Sequence, residues 1–594
     1  MIVFDHVSIR YSDSAPWVLR GVNLSLDDGQ LVLVAGRTGS GKSTLLGAIN
    51  GHVPHFTGGI LNGRVTVEGI DTAAHPPREL AQMVGVVPQD PQSGFVTDIV
   101  EDELAYGMEQ LGVAESTMRT RVEETLDILG LADLRGRALR TLSGGQQQRV
   151  AIGSVLATGV RVLVLDEPTS ALDPVSSEEV LATLLRLVHD LGLTVVIAEH
   201  RLERVAGYAD EMILLDGTGG VTTGDTRSVM AASPLVPPVV ELGQLAGFPE
   251  VPLSVREARR LAAPLRAALV GKDPDEYPQL ATDHPDQPCR LAERRSGLAA
   301  PVGARKCRVA TQTVRPASHI WRRLRRRLGA LGRLEPTDSA GLTRHTSLTV
   351  TGLSVVYGRT AAVKQASLAF PSGAISVVMG RNGSGKSSLL WALAGVQPIA
   401  AGRFAVDGTD LAGKGADQVR RYVRLVPQTA GDLLYLESVR AECAAADQEG
   451  GAAPGSCAGI LGSLAPGIDP AANPKDLSEG QRLSLVLAIQ LAARPQVMLL
   501  DEPTRGLDYP AKAALAQILR RMADEGRVVV VVTHDVEFAA AVADHIAVMA
   551  GGEVIQTGTA TQVLGTSALF APQVAKVLYP AHWLTPYQVG QALA

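Results

Sequence analysis

The feature that most constrains this chain is a nine-residue loop that occurs twice. Gly36-Arg37-Thr38-Gly39-Ser40-Gly41-Lys42-Ser43-Thr44 follows the apolar run Leu31–Ala35 and leads into the helix-forming Leu45–Ile49. Gly380-Arg381-Asn382-Gly383-Ser384-Gly385-Lys386-Ser387-Ser388 follows Ile375–Met379 and leads into Leu389–Leu393. A strand, a Gly-rich loop and a helix start together make an anion cradle. The glycines let backbone N–H groups close around a phosphate, and the helix N-terminus adds partial positive charge. Lys42 and Lys386 would reach the β- and γ-phosphates of a nucleotide, and the Ser43 and Ser387 hydroxyls would each offer a ligand to Mg²⁺. A chain built this way is α/β, with a buried parallel strand feeding each loop.

The loops sit inside a longer repeat. Lys386 stands 344 residues after Lys42, and the same stretches follow in the same order. Leu142-Ser143-Gly144-Gly145-Gln146 and Leu477-Ser478-Glu479-Gly480-Gln481 each lie 23 residues, Ser to Asp, before the strand-end pairs Asp166-Glu167 and Asp501-Glu502. Gln89 and Gln428 lie 47 and 42 residues after their lysines, the surplus falling in Gly51–Gly63 against Gly395–Gly402. Tyr11 and Tyr357 hold matching positions before the loops, where an aromatic ring can stack on a base or simply pack on its sheet. The tails match as well, Ser233–Val239 against Ser567–Gln573. The repeat unit is therefore a whole nucleotide-binding domain with a short C-terminal extension, spanning 1–263 and 347–594. Residues 264–346, rich in Ala, Pro, Arg and Asp and without strand patterning, read as a largely disordered linker. A flexible tether of about 80 residues spans about 50 Å, enough for the halves to face each other within one chain. Within it, Trp321, Leu324, Leu328 and Leu331 have helical spacing among Arg322, Arg323, Arg325, Arg326 and Arg327. That pattern suits an anionic membrane surface, or, the preferred reading, an acidic face of the protein itself.

Composition narrows the function by exclusion. A net charge of −6 gives no reason to expect nucleic acid as the main partner. Cys289, Cys307, Cys443 and Cys457 form no Cys-x-x-Cys motif, which argues against zinc, iron–sulfur and disulfide frameworks and for a reducing, cytoplasmic setting. Met1–Val7 already reads as a strand, and no apolar run reaches the ~18 residues needed to span a bilayer. A membrane role would have to come through partners.

In both halves, the phosphate loop, the Leu-Ser-x-Gly-Gln signature opening a helix and the strand-end Asp-Glu together closely resemble the ATP-binding-cassette (ABC) ATPases. The resemblance implies two P-loop NTPase domains, each with a parallel core sheet, an antiparallel β subdomain, an α-helical signature subdomain and the C-terminal extension. It implies ATP and Mg²⁺ as ligands, with Asp166 and Asp501 holding the metal alongside Ser43, Ser387, Gln89 and Gln428. Glu167 and Glu502 would polarise the attacking water. His200 and His534 would contact the γ-phosphate, and Gln89 and Gln428 would sense it. Asp173 and Asp508 would communicate across the dimer. Each signature would close on the ATP held by the other half. One site would then pair Gly36, Thr38, Gly39, Ser40, Gly41, Lys42, Ser43 and Thr44 with Ser478, Gly480 and Gln481. The other would pair Gly380, Asn382, Gly383, Ser384, Gly385, Lys386, Ser387 and Ser388 with Ser143, Gly144, Gly145 and Gln146. Glu479 replaces Gly144 in the second signature, so two hydrolytic sites of unequal rate are expected. If the carboxylate turns away from the phosphate, its effect is mild. Residues 443–475 lack the amphipathic pattern of 115–130, so the helical subdomains should differ.

Gln89-Asp90-Pro91 with Val100-Glu101-Asp102-Glu103-Leu104-Ala105-Tyr106-Gly107 resembles the corresponding region of energy-coupling factor (ECF) transporter ATPases, as do Glu199–Glu203 and the tail beginning Pro252-Leu253-Ser254. Residues 428–435 depart further from that pattern. The likeness implies a fused ATPase pair on the cytoplasmic face of the cell membrane, bound to a T-type membrane coupling subunit and a substrate-binding S-type subunit. The pair would drive uptake of a vitamin or transition metal. Two alternatives stay open: the ATPase of an ordinary ABC importer, and a soluble twin-cassette translation or repair factor.

Overall fold

A computed structural model describes residues 1–280 and 347–594. The Trp321–Leu331 stretch, Cys289 and Cys307 lie outside the described residues. Met1–Gln279 and Thr346–Ala594 form one compact unit containing both repeats.

The first cassette opens with β1 (Ile2–Arg10) and β2 (Leu19–Leu26), followed by β3 (Leu31–Gly36) and helix α1 (Lys42–Ile49). Next come β4 (Ile60–Val67), β5 (Ile70–Asp71) and β6 (Val84–Val87). Helices α2 (Val100–Gln110), α3 (Glu115–Leu129) and α4 (Gly144–Leu156) make the helical subdomain. The chain returns through β7 (Val162–Asp166), α5 (Pro174–Leu191), β8 (Thr194–Ala198), β9 (Glu211–Leu215) and β10 (Val221–Asp225). One sheet runs β2-β1-β4-β5, all antiparallel. The other runs β10-β9-β3-β8-β7-β6, parallel except for the β9–β10 edge. Sequence dictates which is which. Every residue of β3 and β8 is buried, as unbroken apolar runs covered on both faces require, whereas β2 alternates between buried and exposed.

The tail of this cassette is α6 (Pro238–Leu245), α7 (Val255–Leu261) and α8 (Ala263–Ala268). The expected boundary after residue 263 is corrected here. Residues 263–268 are helical, and Leu265 and Leu269 are buried in the core. The Ala-, Pro- and Arg-rich composition hid a short helix anchored by Leu265, with Leu269 just beyond its end.

The second cassette repeats the plan. Strands β11 (Ser347–Tyr357), β12 (Thr360–Pro371), β14 (Ala401–Val406) and β15 (Thr409–Asp410) form the antiparallel sheet. Strands β16 (Val423–Val426), β17 (Val497–Asp501), β18 (Val528–Val532), β13 (Ile375–Met379), β19 (His545–Ala550) and β20 (Glu553–Thr559) form the other in that spatial order. Helix α9 (Lys386–Leu393) follows the second loop. The helical subdomain is α10 (Val439–Gly450), α11 (Ser456–Leu464) and α12 (Glu479–Ala492). Its middle helix has 9 residues where α3 has 15, so the two subdomains do differ. Cys457 and Leu461 of this helix share a core with Cys443 of α10 and with Leu485 and Ala488 of α12. Helix α13 (Tyr509–Asp524) follows β17, and α14 (Gln573–Leu578) and α15 (Pro586–Leu593) end the chain.

The duplicated tails join. Val574, Val577, Leu578, Trp583, Val589 and Ala592 share one hydrophobic core with Val239, Val240, Leu242, Ala258, Leu265 and Leu269. Trp583 is fully buried, its ring centroid 5.6 Å from that of Tyr277. Backbone groups are satisfied across the join as well. Arg266 donates to the Val577 carbonyl at 2.7 Å, Gln588 to the Pro274 carbonyl at 2.7 Å, and Lys272 to the Ala592 carbonyl.

Candidate active site

Each phosphate loop is held open by its own lysine. Lys42 Nζ donates to the carbonyls of Gly36 (3.1 Å) and Arg37 (3.2 Å), and Lys386 Nζ to those of Gly380 and Arg381, both at 2.9 Å. Glycine is required at the loop ends. A Cβ on Gly36 would meet Ser40 Oγ at 2.4 Å, and one on Gly385, whose φ is +96°, would meet the Ala362 carbonyl oxygen at 2.1 Å. Burial pulls both ammonium groups below their usual pKa, against the opposing charges of Glu167 and Asp166 at Lys42 and of Glu502 and Asp501 at Lys386. The Tyr11 hydroxyl lies 2.8 Å from Thr44 Oγ1, so its ring stands beside the loop, 45% exposed. Tyr357, 41% exposed, makes no equivalent hydrogen bond among the described residues.

The strand-end acids converge on the loops. Ser43 Oγ donates to Asp166 Oδ2 at 2.7 Å, and Ser387 Oγ to Asp501 Oδ1 at 3.0 Å. Burial raises both aspartates, Asp501 to about 6, although the serine hydroxyls work against the shift. A serine hydroxyl and an aspartate carboxylate form a hard-oxygen donor set that suits Mg²⁺. Among the described residues no cluster of three or more His, Cys, Asp or Glu side chains could hold a metal by itself. Any cation here would therefore need other ligands, such as phosphate and water.

The next residue in each cassette has left-handed backbone, φ +48° at Glu167 and +49° at Glu502, a strained geometry for a non-glycine. Their N–H groups are tied to the carbonyls of Ala198 (2.9 Å) and Val532 (2.8 Å), which turns each carboxylate towards the loop side of the sheet. There each meets its histidine: His200 Nε2 to Glu167 Oε1 at 2.8 Å, and His534 Nδ1 to Glu502 Oε2 at 2.8 Å. Burial pushes both glutamates up. The histidines, with the nearby lysine and Arg201, outweigh that and leave both carboxyls below the ordinary range. The other ring nitrogen of His534, Nε2, is buried with no hydrogen-bond partner. Gln89 Nε2 donates to Glu167 Oε2 at 3.0 Å, whereas Gln428 is exposed and makes no such bond among the described residues.

Both signatures are helix starts with reciprocal caps. Gln146 N–H donates to Ser143 Oγ (3.3 Å) while Ser143 N–H donates to Gln146 Oε1 (2.9 Å); Ser478 and Gln481 do the same at 3.3 and 3.0 Å. Glu479 leaves that cap intact. Its carboxylate pairs with Arg482 at 3.1 Å, 51% exposed, and its stem lies on Gly506. This is the milder of the two expected placements.

The cassettes meet reciprocally at the aspartates that follow Leu172 and Leu507. Asp508 caps α13 with Oδ1 and accepts the Thr38 N–H with Oδ2 at 2.8 Å. Asp173 caps α5 in the same way and accepts the Asn382 N–H at 3.3 Å. Thr38 and Asn382 correspond, as do Asp173 and Asp508, so the contact is isologous about a pseudo-twofold axis. Each phosphate loop thus touches the opposite half just beyond that half's strand-end Asp-Glu pair.

Two glutamates have a role that the sequence reading did not assign. Glu103, 3% exposed, accepts the N–H groups of Val96 (3.0 Å) and Thr97 (2.8 Å) and folds the loop after Gln89. Glu442, 6% exposed, does the same for Tyr435 and Leu436. Both stand 14 residues after their glutamines, and that spacing is the signal that could have found them.

Fold and geometry define a twin nucleotide-binding protein with two interlocked sites. The family model described as ABC transporter matches residues 19–170 and 363–505. A Streptomyces avermitilis protein provisionally named an ABC transporter ATP-binding protein is 52% identical over 100% of both chains. The chain belongs to this family: it is an ABC transporter ATPase with two tandem cassettes that bind ATP. Two solved structures are also similar. CbiO1 of Clostridium perfringens, titled part of the ABC transporter complex cbiONQ, is 30% identical over 39% of this chain and 90% of its own, with a TM-score of 0.36. The archaeal ribosome recycling factor aABCE1 is 18% identical over 94% and 91%, with a TM-score of 0.53, and shows the shared twin-cassette fold alone.

Proposed function

We propose that the chain is the ATP-hydrolysing, energy-coupling subunit of an ECF-type importer for a vitamin or transition metal. The observation that carries this reading is the loop after each sensing glutamine. Glu103 and Glu442 fold both loops alike, yet both present apolar side chains to solvent: Val96 is 61% exposed, and Tyr435 and Leu436 are 79% and 41% exposed. Exposed apolar groups on a rigidly folded loop suit insertion of a partner's helix. The acidic Val100–Gly107 segment beside the first loop carries the ECF-like pattern. Among the described residues no helix is long and apolar enough to cross a membrane. Attachment at the cytoplasmic face would therefore run through these loops to a T-type subunit, with an S-type subunit holding the cargo.

In the hydrolytic cycle, loop N–H groups and Lys42 or Lys386 bind the ATP phosphates, with Tyr11 beside the first nucleotide. Mg²⁺, held by Ser43 and Asp166 or by Ser387 and Asp501, would neutralise phosphate charge. Glu167 and Glu502, kept ionised by their histidines, orient the attacking water and accept its proton; a positioned base is worth about 10²–10⁴-fold. The Ser143 and Ser478 helix starts complete the opposite sites, and Asp173 and Asp508 make closure of each site felt at the other. Co-purification with a T-type membrane subunit, and ATP-dependent uptake by the reconstituted complex, is the expected result. Purification with a periplasmic-binding-protein system would favour an ordinary importer, and ATPase stimulation by ribosomes would overturn the transport reading.

A further inference from the structure

The residue after each histidine carries no assigned role. In the first cassette it is Arg201 and in the second Asp535. These corresponding positions meet. Arg201 Nη2 lies 3.5 Å from Asp535 Oδ2, the side chains being 6% and 2% exposed. Corresponding residues touch each other only on a twofold axis, and a second such pair marks the same axis: Val239 N–H donates to Gln573 Oε1 at 3.1 Å. The surroundings break the symmetry the same way. Lys512, 2.7 Å from Asp535, has Ser177 as its counterpart. Tyr509 donates to Glu203 across the interface, whereas its counterpart is Pro174, which cannot donate to Glu537. Glu537 instead accepts the Gln573 N–H at 2.8 Å, from its own cassette.

We propose that Arg201 and Asp535 form a charge lock on the pseudo-twofold axis, a pair of positioning residues that lets both ATP sites close only when the unlike cassettes meet. Two first cassettes would set Arg201 against Arg201 without the Asp535 that faces it here, and two second cassettes would set Asp535 against Asp535, each carboxylate left with its own Lys512 alone. In the chain as it stands Asp535 is shared between Arg201 and Lys512, and Arg201 and Asp535 sit one residue from both histidines, so a shift of either segment is felt by both. Burial pushes the Asp535 carboxyl up, but the charges of Lys512 and Arg201 hold it far below the carboxylate range. The guanidinium also helps to hold both Glu167 and Glu502 ionised, so one cation serves the two centres. The lock requires only paired cassettes, whatever they drive.

Steady-state ATPase of the full chain tests this. R201D is expected to lower kcat at least tenfold with the KM for ATP within twofold, because each loop still binds its nucleotide. K512M/D535R should do the same. The triple variant R201D/K512M/D535R, which exchanges the charges, should recover to within threefold of the parent. Should R201D fold poorly, the neutral changes R201Q and D535N carry the same test. Each should cost three- to tenfold, and together no more than the larger alone. Failure of the triple variant to recover, or single neutral effects that multiply, overturns the lock.

Discussion

Trp583→Ala is the perturbation that most directly probes how the cassettes are fastened. The side chain is fully buried between the tails, against Tyr277. Removing about 200 Å² of apolar surface at about 25 cal/mol per Å² forfeits about 5 kcal/mol. Loss of the ring pair adds about 0.5–1.5 kcal/mol, and partial collapse of the cavity offsets some of this, so about 3–5 kcal/mol is the working figure. For a cooperative unit of about 530 residues that lowers the calorimetric Tm by about 3–5 °C. Trp391→Ala is the control: 39% exposed, it should change stability by less than about 1 kcal/mol. Scanning calorimetry of the two variants side by side decides the matter. A Trp583→Ala midpoint within about 2 °C of the parent would refute the idea that the tails form one load-sharing core.

Three further outcomes follow from the site. A Cβ on Gly145 would sit 2.8 Å from Ser176 Cβ, while one on Gly480 has nothing nearer than 3.7 Å. Gly145→Ala should therefore cost about 1–3 kcal/mol in denaturant titration, and Gly480→Ala much less. Asp508→Ala removes a helix cap worth about 1 kcal/mol and the 2.8 Å acceptor of Thr38; Asp173→Ala loses a cap and a 3.3 Å contact. ATPase assays should find Asp508→Ala the more damaging. Burial, with Glu203 and Asp535 nearby, lifts Glu537 to about 8. Its folded pKa lies above its unfolded one, so the chain holds a proton that the unfolded state releases. Stability from this group is full below about pH 4.5 and is lost as pH rises to about 8, by at most about 1.4 kcal/mol per unit. Melting curves of Glu537→Gln should lack that decline.

The all-buried β3 and β8 could be read from their unbroken apolar runs, and the two signatures from their reciprocal Ser–Gln caps, because these depend on neighbours in sequence. The left-handed Glu167 and Glu502 and the helix at residues 263–268 were not legible. Each depends on what packs against it from far along the chain. Arg201 and Asp535 fall between these cases. Their opposite charges at corresponding positions were visible in the sequence, but only the pairing of the cassettes shows that they meet.

The tail junction also sets the kinetic order of the ATPase cycle. Free cassettes must find each other by diffusion, and their closure rate would rise with protein concentration. Here the shared core around Trp583 keeps the partners registered while the nucleotide faces part, so reclosure is a first-order event. Turnover per chain should be the same in a dilute assay as in a concentrated one.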